Sequence, residues 1–342
     1  MHKQDASIVK KALILAHHPI MTPVSPLRYP GGKARFRTFI AEAILASGEE
    51  TEIFIEPFCG GAGAAIGLLE SSYISQIALN DCDPLIASFW KIVFGKSRST
   101  SHDIKWLIYK VETADLSIKE WRKQKELKPS NVREAAWKCL YLNRTSFNGI
   151  LHKAGPIGGW EQKNRHLGVR FNKEKLVARL LELYNVKEQV VRVDCLNWKR
   201  FCSYFKKIKR TYLYLDPPYY HKAEQLYGYI FNENTHQSMR DYLVNIKSPW
   251  MLSYDDALEV RSLYSNIKGI EGRVIDQTYS AHPVGGASFI GRELFFSNRD
   301  LPIQNTGIPH SGLTVVGCFK EVSTDASGPI RMRFDQLAAV GT

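Results

Sequence analysis

Short apolar runs recur along this chain, each closed by a turn rich in Gly, Pro, Asn or Asp, and they predict strands. The run at 52–55 leads into Pro57-Phe58-Cys59-Gly60-Gly61-Ala62-Gly63, and the small-residue stretch 64–70 after it predicts a helix. A second strand is expected at 77–79, ending at Asn80-Asp81-Cys82-Asp83-Pro84, with a helix over 85–94. Strand, helix, strand, helix is the logic of a parallel sheet. Further strands are expected at 190–193, 212–215, 250–253, near 273–278 and at 294–297. The run at 212–215 reads as a buried parallel strand.

Between about 96 and 175 the alternation stops. Helical stretches rich in Lys, Arg and Trp give way to a Gly-rich segment over 149–168, which predicts an inserted, mainly helical domain. The expected division is a loose leader at 1–24, one α/β domain made of 25–95 and 176–300, the insert at 96–175, and a tail at 301–342. The tail is expected to hold one edge strand, Leu313–Phe319, within loop.

Composition narrows the class. The chain has 342 residues, 44% of them hydrophobic, enough for a sizeable core. Lys and Arg number 46 against 34 Asp and Glu, and a formal net charge of +12 suits an anionic partner. The apolar patch at 12–16 is too short for a secretion signal or a membrane span, and no later run qualifies. None of the six cysteines forms a CxxC pair or joins a His cluster at zinc spacing, so they read as reduced thiols of a cytoplasmic protein without a metal site.

The strongest chemical signal is Asp216-Pro217-Pro218-Tyr219, directly after the strand expected at 212–215. Ligands of α/β sheets sit at such strand ends. An exocyclic amine on a nucleobase is a poor nucleophile, because its lone pair is delocalised into the ring. The Asp216 carboxylate can accept one of its N–H groups and the Pro217 carbonyl the other. That favours a tetrahedral nitrogen with its lone pair free. The two prolines stiffen the turn, and Tyr219 offers a ring on which a base can stack. A bland alternative is a Pro-Pro turn after a core strand.

The Gly60-Gly61-Ala62-Gly63 turn lets backbone approach a ligand at a helix N-terminus, without the G-x-G-x-x-G spacing of a dinucleotide site. Asp81 follows the second strand, where an acid can bind ribose hydroxyls. Asp83, before Pro84, is the better helix cap. Tyr29-Pro30-Gly31-Gly32-Lys33 lacks phosphate-loop spacing, so Lys33 suits a carboxylate such as that of an amino-acid-like cofactor.

These segments, together with Asn143-Arg144-Thr145-Ser146-Phe147-Asn148-Gly149, occur in an order that resembles the Dam-like (alpha-group) adenine-specific DNA methyltransferases, over about 25–300. The resemblance implies a Rossmann-like sheet with an inserted target-recognition domain, S-adenosylmethionine as cofactor and double-stranded DNA as partner. Carried over by position, Tyr29 and Lys33 meet the cofactor's methionine end, while Pro57, Phe58, Gly60, Gly61 and Gly63 line its cleft. Asp81 binds the ribose, and Asp216 borders cofactor and target alike. Asp194 stands where the family often has an acid near the cofactor's adenine, or else it caps a following helix. Arg292-Glu293-Leu294 resembles a family segment to which no role is assigned. The target adenine has to be flipped out of the duplex.

For DNA, the resemblance points to Arg144, Phe147 and Asn148, with Phe147 at an expected hairpin tip able to fill the gap left by the flipped base. His152 takes the place where relatives reading GATC carry a guanine-binding Arg. Histidine cannot make that bidentate contact, which argues against GATC. Lys153, Lys163, Arg165 and Arg170 are expected at phosphates. A cytosine-amine or RNA-adenine methyltransferase of the same fold, and an inactive DNA-binding relative, are the alternatives. A companion restriction endonuclease is compatible with the resemblance; no oligomeric state follows from it.

Overall fold

The computed structural model describes residues 25–29, 31–96, 98–163, 165–221, 231–279, 289–302 and 313–319. The leader expected at 1–24 and most of the tail after 300 lie outside them. Five parallel strands stand in the order β3-β2-β1-β4-β5: β1 (Ile53–Glu56), β2 (Gln76–Asn80), β3 (Val190–Asp194), β4 (Thr211–Leu215) and β5 (Trp250–Asp255). β7 (Phe289–Ser297) pairs antiparallel with β5. β6 (Glu271–Tyr279) pairs with β7, and β8 (Leu313–Phe319) lies at the edge against β6.

The central strands β1 and β4 read as apolar runs because both faces of the sheet are covered there. Phe54, Tyr212, Tyr214 and Phe295 point to one face. There they meet α1 (Arg37–Ala46), α2 (Gly63–Glu70) and α3 (Pro84–Val93). Their strand neighbours Ile53, Ile55, Leu213 and Leu215 point to the other. The alternation follows from the two-residue period of a strand.

The connection from β2 to β3 carries the expected helical stretch: α4 (Arg98–Glu112), α5 (Ile118–Glu126), α6 (Val132–Thr145) and α7 (Lys173–Asn185). Ser117, Asn131 and Asn172 each accept an N–H from the following turn and start α5, α6 and α7. Leu107, Trp121, Trp137 and Leu180 of these helices belong to the same hydrophobic cluster as the sheet face under α1–α3. The far face is closed by α8 (Trp198–Ser203), α9 (Glu233–Val244) and α10 (Leu258–Tyr264). No helix among the described residues is long and apolar enough to cross a membrane.

Strand order reverses between β1 and β4, and a crevice opens at their carboxyl ends. Asn80 ties the loops around it. Its amide donates to Pro57 O at 2.9 Å and Leu196 O at 3.0 Å and accepts from Leu196 N at 2.9 Å. Asn80→Ala should leave these buried groups unpaired and cost about 1–3 kcal/mol. Urea unfolding should show a lower midpoint with an unchanged slope; an unaltered midpoint would contradict it.

Candidate active site

The reversal point holds a cavity of about 260 Å³. β1 brings Glu56 to it and β4 brings Asp216. Phe58, Gly60, Gly61 and Gly63 form the turn on one side. Tyr29 and Lys33 enter from the segment before α1, and Asp81 from the end of β2. Gly60 has φ +45°, and a Cβ there would stand 2.7 Å from the Tyr29 ring, so only glycine fits. Gly31, at φ +73°, is held the same way by the Tyr219 hydroxyl.

Asp81 braces the turn from beneath. Its Oδ2 accepts Gly60 N at 2.8 Å and its Oδ1 accepts Asp83 N at 2.9 Å. Asp83 caps α3 as expected, accepting Leu85 N at 2.9 Å. Asp194 does not cap a helix, since Asn197 caps α8. Nor does Asp194 line the cavity; it pairs with Arg192.

Asp216 sits in a buried polar network. Its Oδ1 accepts from Ser253 Oγ at 2.8 Å and lies 2.9 Å from Lys33 Nζ. Ser253 in turn contacts the Tyr214 hydroxyl at 2.9 Å. No described residue bonds Asp216 Oδ2, which leaves one open acceptor. Lys33 Nζ also donates to Gly31 O at 3.0 Å, lies 3.5 Å from Glu293 Oε2, and stands 5.4 Å from the centre of the Tyr219 ring. The ammonium expected to meet a cofactor carboxylate is therefore buried against two carboxylates of the chain itself.

The turn after β4 is tied down beyond the motif. Tyr220 N donates to Asp255 Oδ1 at 3.0 Å, and the Tyr220 ring stacks on His236 with centroids 4.5 Å apart. Pro218 lines the cavity, whereas Pro217 and Tyr219 flank it.

Burial opposes the charge on Lys33, yet Asp216 and Glu293 hold its ammonium well above the usual lysine range. Burial, and then the Asp216 charge, keep the Glu56 carboxyl well above the usual carboxylate range. Burial raises Asp81 to about 7, with Asp83 adding to it. Glu293 is pushed to about 7 by burial against the pull of Lys33. Glu56, Asp81 and Asp216 line the cavity beside Lys33 and Arg35, so it offers a ligand both carboxyl oxygens and cationic donors.

The loop after α6 departs from the expected hairpin. Asn148 and Gly149 take positive φ, +53° and +76°, as an Asn-Gly turn requires. The flanking chain forms one isolated bridge, Ser146 to Pro156, and no ladder. Phe147 is 60% exposed and Asn148 is exposed. Lys153 and Arg165 face solvent, and Lys163 pairs with Glu161 at 2.5 Å. His152 is exposed too, but it reaches Asp83. It lines the cavity, with Nε2 2.6 Å from Asp83 Oδ2. The loop is also fixed by buried Asn143. That side chain accepts Arg28 N at 2.6 Å and donates to Arg28 O at 2.8 Å and Gly149 O at 3.0 Å.

Sequence reasoning assigned no role to Ser253, Tyr214 or Glu293. The available signal was a polar side chain inside an otherwise apolar strand, where burial demands a partner.

A sheet of this order with its cavity at the switch point is a Rossmann-like methyltransferase fold. The D12 class N6 adenine-specific DNA methyltransferase family matches residues 29–278, and the chain belongs to that family. It is thus a methyltransferase of a family that acts on adenine in DNA. No curated protein is similar enough to match the chain. Among solved structures it is similar to the rRNA methyltransferase aviRa from Streptomyces viridochromogenes. That likeness has 13% identity and a TM-score of 0.34, covers 83% of this chain and 88% of that one, and carries no functional weight.

Asp81 and Glu293 keep their protons to about pH 7 when folded, against 3.8 and 4.5 for their ordinary forms. The folded state then binds more protons over that window. Stability from these acids is complete below the lower values and is lost as pH rises through about 7. Asp81→Asn removes one such acid. Its unfolding free energy relative to wild type should rise from about pH 4 to about pH 7, by at most about 1.4 kcal/mol per pH unit. Urea unfolding across this range checks it; a constant difference would contradict the assignment.

Proposed function

We propose that this chain moves a methyl group from S-adenosylmethionine to the exocyclic amine of an adenine flipped out of duplex DNA. The observation that carries the reading is Asp216. It stands at the end of β4 in the switch-point cavity, braced by Ser253 and Lys33, with Oδ2 open toward a substrate. The cavity suits the cofactor chemically: the carboxyl groups of Glu56 and Asp81 can exchange hydrogen bonds with its hydroxyl and amino groups, and the Gly60 turn admits close backbone approach. The cofactor supplies an electrophilic methyl on its sulfonium.

The residues then divide the work. Tyr29, Phe58 and the Gly60–Gly61–Gly63 turn enclose the cofactor, and Asp81 takes its ribose hydroxyls. Asp194, held by Arg192 at the end of β3, stands beyond the cavity lining and is left without a cofactor role. Lys33 serves Asp216 instead of the cofactor's carboxylate, because its ammonium is already buried against Asp216 and Glu293. Asp216 Oδ2 and the Pro217 carbonyl accept the two N–H groups of the amine and leave its lone pair free to attack. No strong base is required, since the alkylated amine is acidic once formed, and Asp216 acts by orientation and electrostatics. Tyr219 stacks on the base.

Residues 96–175 form the target-recognition insert, in the manner of the Dam-like group. Arg28, Arg144 and Arg170 support DNA as the partner. Burial and mutual repulsion lower the pKa of Arg28 and bring that of Arg144 to about 10. Arg28 Nη1 and Arg144 Nε are buried without a hydrogen-bond partner. No carboxylate pairs with any of the three among the described residues. A backbone phosphate supplies the missing acceptor, beside the loop that exposes Phe147. His152, seated on Asp83, joins that loop to the cofactor cavity in place of reading a base.

Asp216→Ala should lower methyl transfer on the order of 100-fold or more while leaving DNA affinity in place. Single-molecule sequencing of DNA from expressing cells should show N6-methyladenine at a defined site for wild type and none for the variant. Equal modification by both would refute the assignment. Arg144→Ala should weaken binding to every DNA sequence and make the log–log salt slope shallower by about one; an unchanged slope would exclude a phosphate contact.

A further inference from the structure

Glu293 is the acid to which the family resemblance gave no role, and it lies deep beside Asp216. It is 4% exposed within β7, opposite Asp255 of β5. A carboxylate in the middle of a buried strand is costly unless both oxygens are engaged. Its Oε1 accepts from the Tyr219 hydroxyl at 3.3 Å, whereas its Oε2 has no hydrogen-bond partner among the described residues and relies on the Lys33 ammonium 3.5 Å away. Lys33 also lies 2.9 Å from Asp216 Oδ1. One side chain of β7 therefore holds two residues from two separate motifs: Lys33, which touches Asp216, and Tyr219, three residues after Asp216 in the same motif.

We propose that Glu293 is a positioning residue for methyl transfer: its carboxylate fixes Tyr219 and shares the Lys33 ammonium with Asp216, which keeps Asp216 able to accept an N–H from the target amine. The inference rests on the adenine-methylation reading above. Its physical basis is competition for one buried cation. With Glu293 ionised, Lys33 is held between two carboxylates. With Glu293 protonated, Lys33 is drawn to Asp216 alone, Asp216 becomes a weaker acceptor, and Tyr219 loses a charged partner. The charged and titratable groups facing Glu293 are Lys33, Asp216 and Tyr219. Glu56 and Tyr214 complete the shell around Lys33 and Asp216. Asp255, its neighbour on β5, is engaged with Tyr220 N. Burial carries the Glu293 pKa to about 7, so its charge state changes within an ordinary assay range.

Glu293→Gln keeps the shape and an acceptor for Tyr219 while removing the charge. For this variant kcat on adenine should fall on the order of 100-fold, with S-adenosylmethionine and DNA affinities unchanged. The acidic limb of log kcat near pH 7 in wild type should disappear. A second measurement needs neither ligand nor variant activity. The Glu293 carboxyl carbon in the ligand-free wild-type protein, assigned by its absence from the variant's NMR spectrum, should titrate near pH 7. Wild-type kcat and pH profile in Glu293→Gln, or a Glu293 signal titrating near the ordinary 4.5, would overturn the positioning role alone. A folded wild-type protein that methylates no adenine would instead overturn the reading on which it rests, and the positioning role with it.

Discussion

A single buried ammonium, that of Lys33, sets the arrangement of this site. Its side chain is 2% exposed, and a lysine so placed keeps its charge only where carboxylates surround it. Asp216 from the end of β4 and Glu293 from β7 supply them. The pairing pins the segment before α1 across the ends of strands that are far apart in sequence. The Lys33 ring contact with Tyr219 and its bond to Gly31 O follow from the same position. The open Oδ2 of Asp216 is a consequence too, because Lys33 and Ser253 both take Oδ1.

The cavity and the loop after α6 share a wall. Asn143, at the end of α6, bonds both Arg28 and Gly149, and His152 reaches Asp83 at the cap of α3. Lys125 of α5 clamps the outer side of the same loop through Leu151 O at 2.9 Å and Ala154 O at 3.1 Å. A ligand that shifts one side of this segment necessarily loads the other. The helices between β2 and β3 are thus tied to the cavity wall, and they share one continuous hydrophobic cluster with the sheet.

β1 and β4 were legible as apolar runs because each is buried on both faces, and β8 as a lone apolar run near the end. Asp83 was legible as a cap from its place before Pro84. What escaped depends on strand order and on distant contacts. Nothing local indicates that β7 lies against β5, which is what brings Glu293 to Lys33. The contact of His152 with Asp83 joins residues 69 positions apart, so an imidazole expected to read a base is found, still exposed, on the cap of α3. The Asn-Gly pair correctly specified its own backbone, but not the strands around it, which form a single bridge.

The dependence of the site on Lys33 is tested most directly by unfolding free energies of three proteins at neutral pH: wild type, Lys33→Met, and Lys33→Met combined with Asp216→Asn and Glu293→Gln. Removing the cation alone leaves two acids without their counter-charge and should cost about 3–5 kcal/mol. Neutralising both acids as well should restore most of that loss. A small cost for Lys33→Met, or a triple variant no more stable than the single one, would contradict the account.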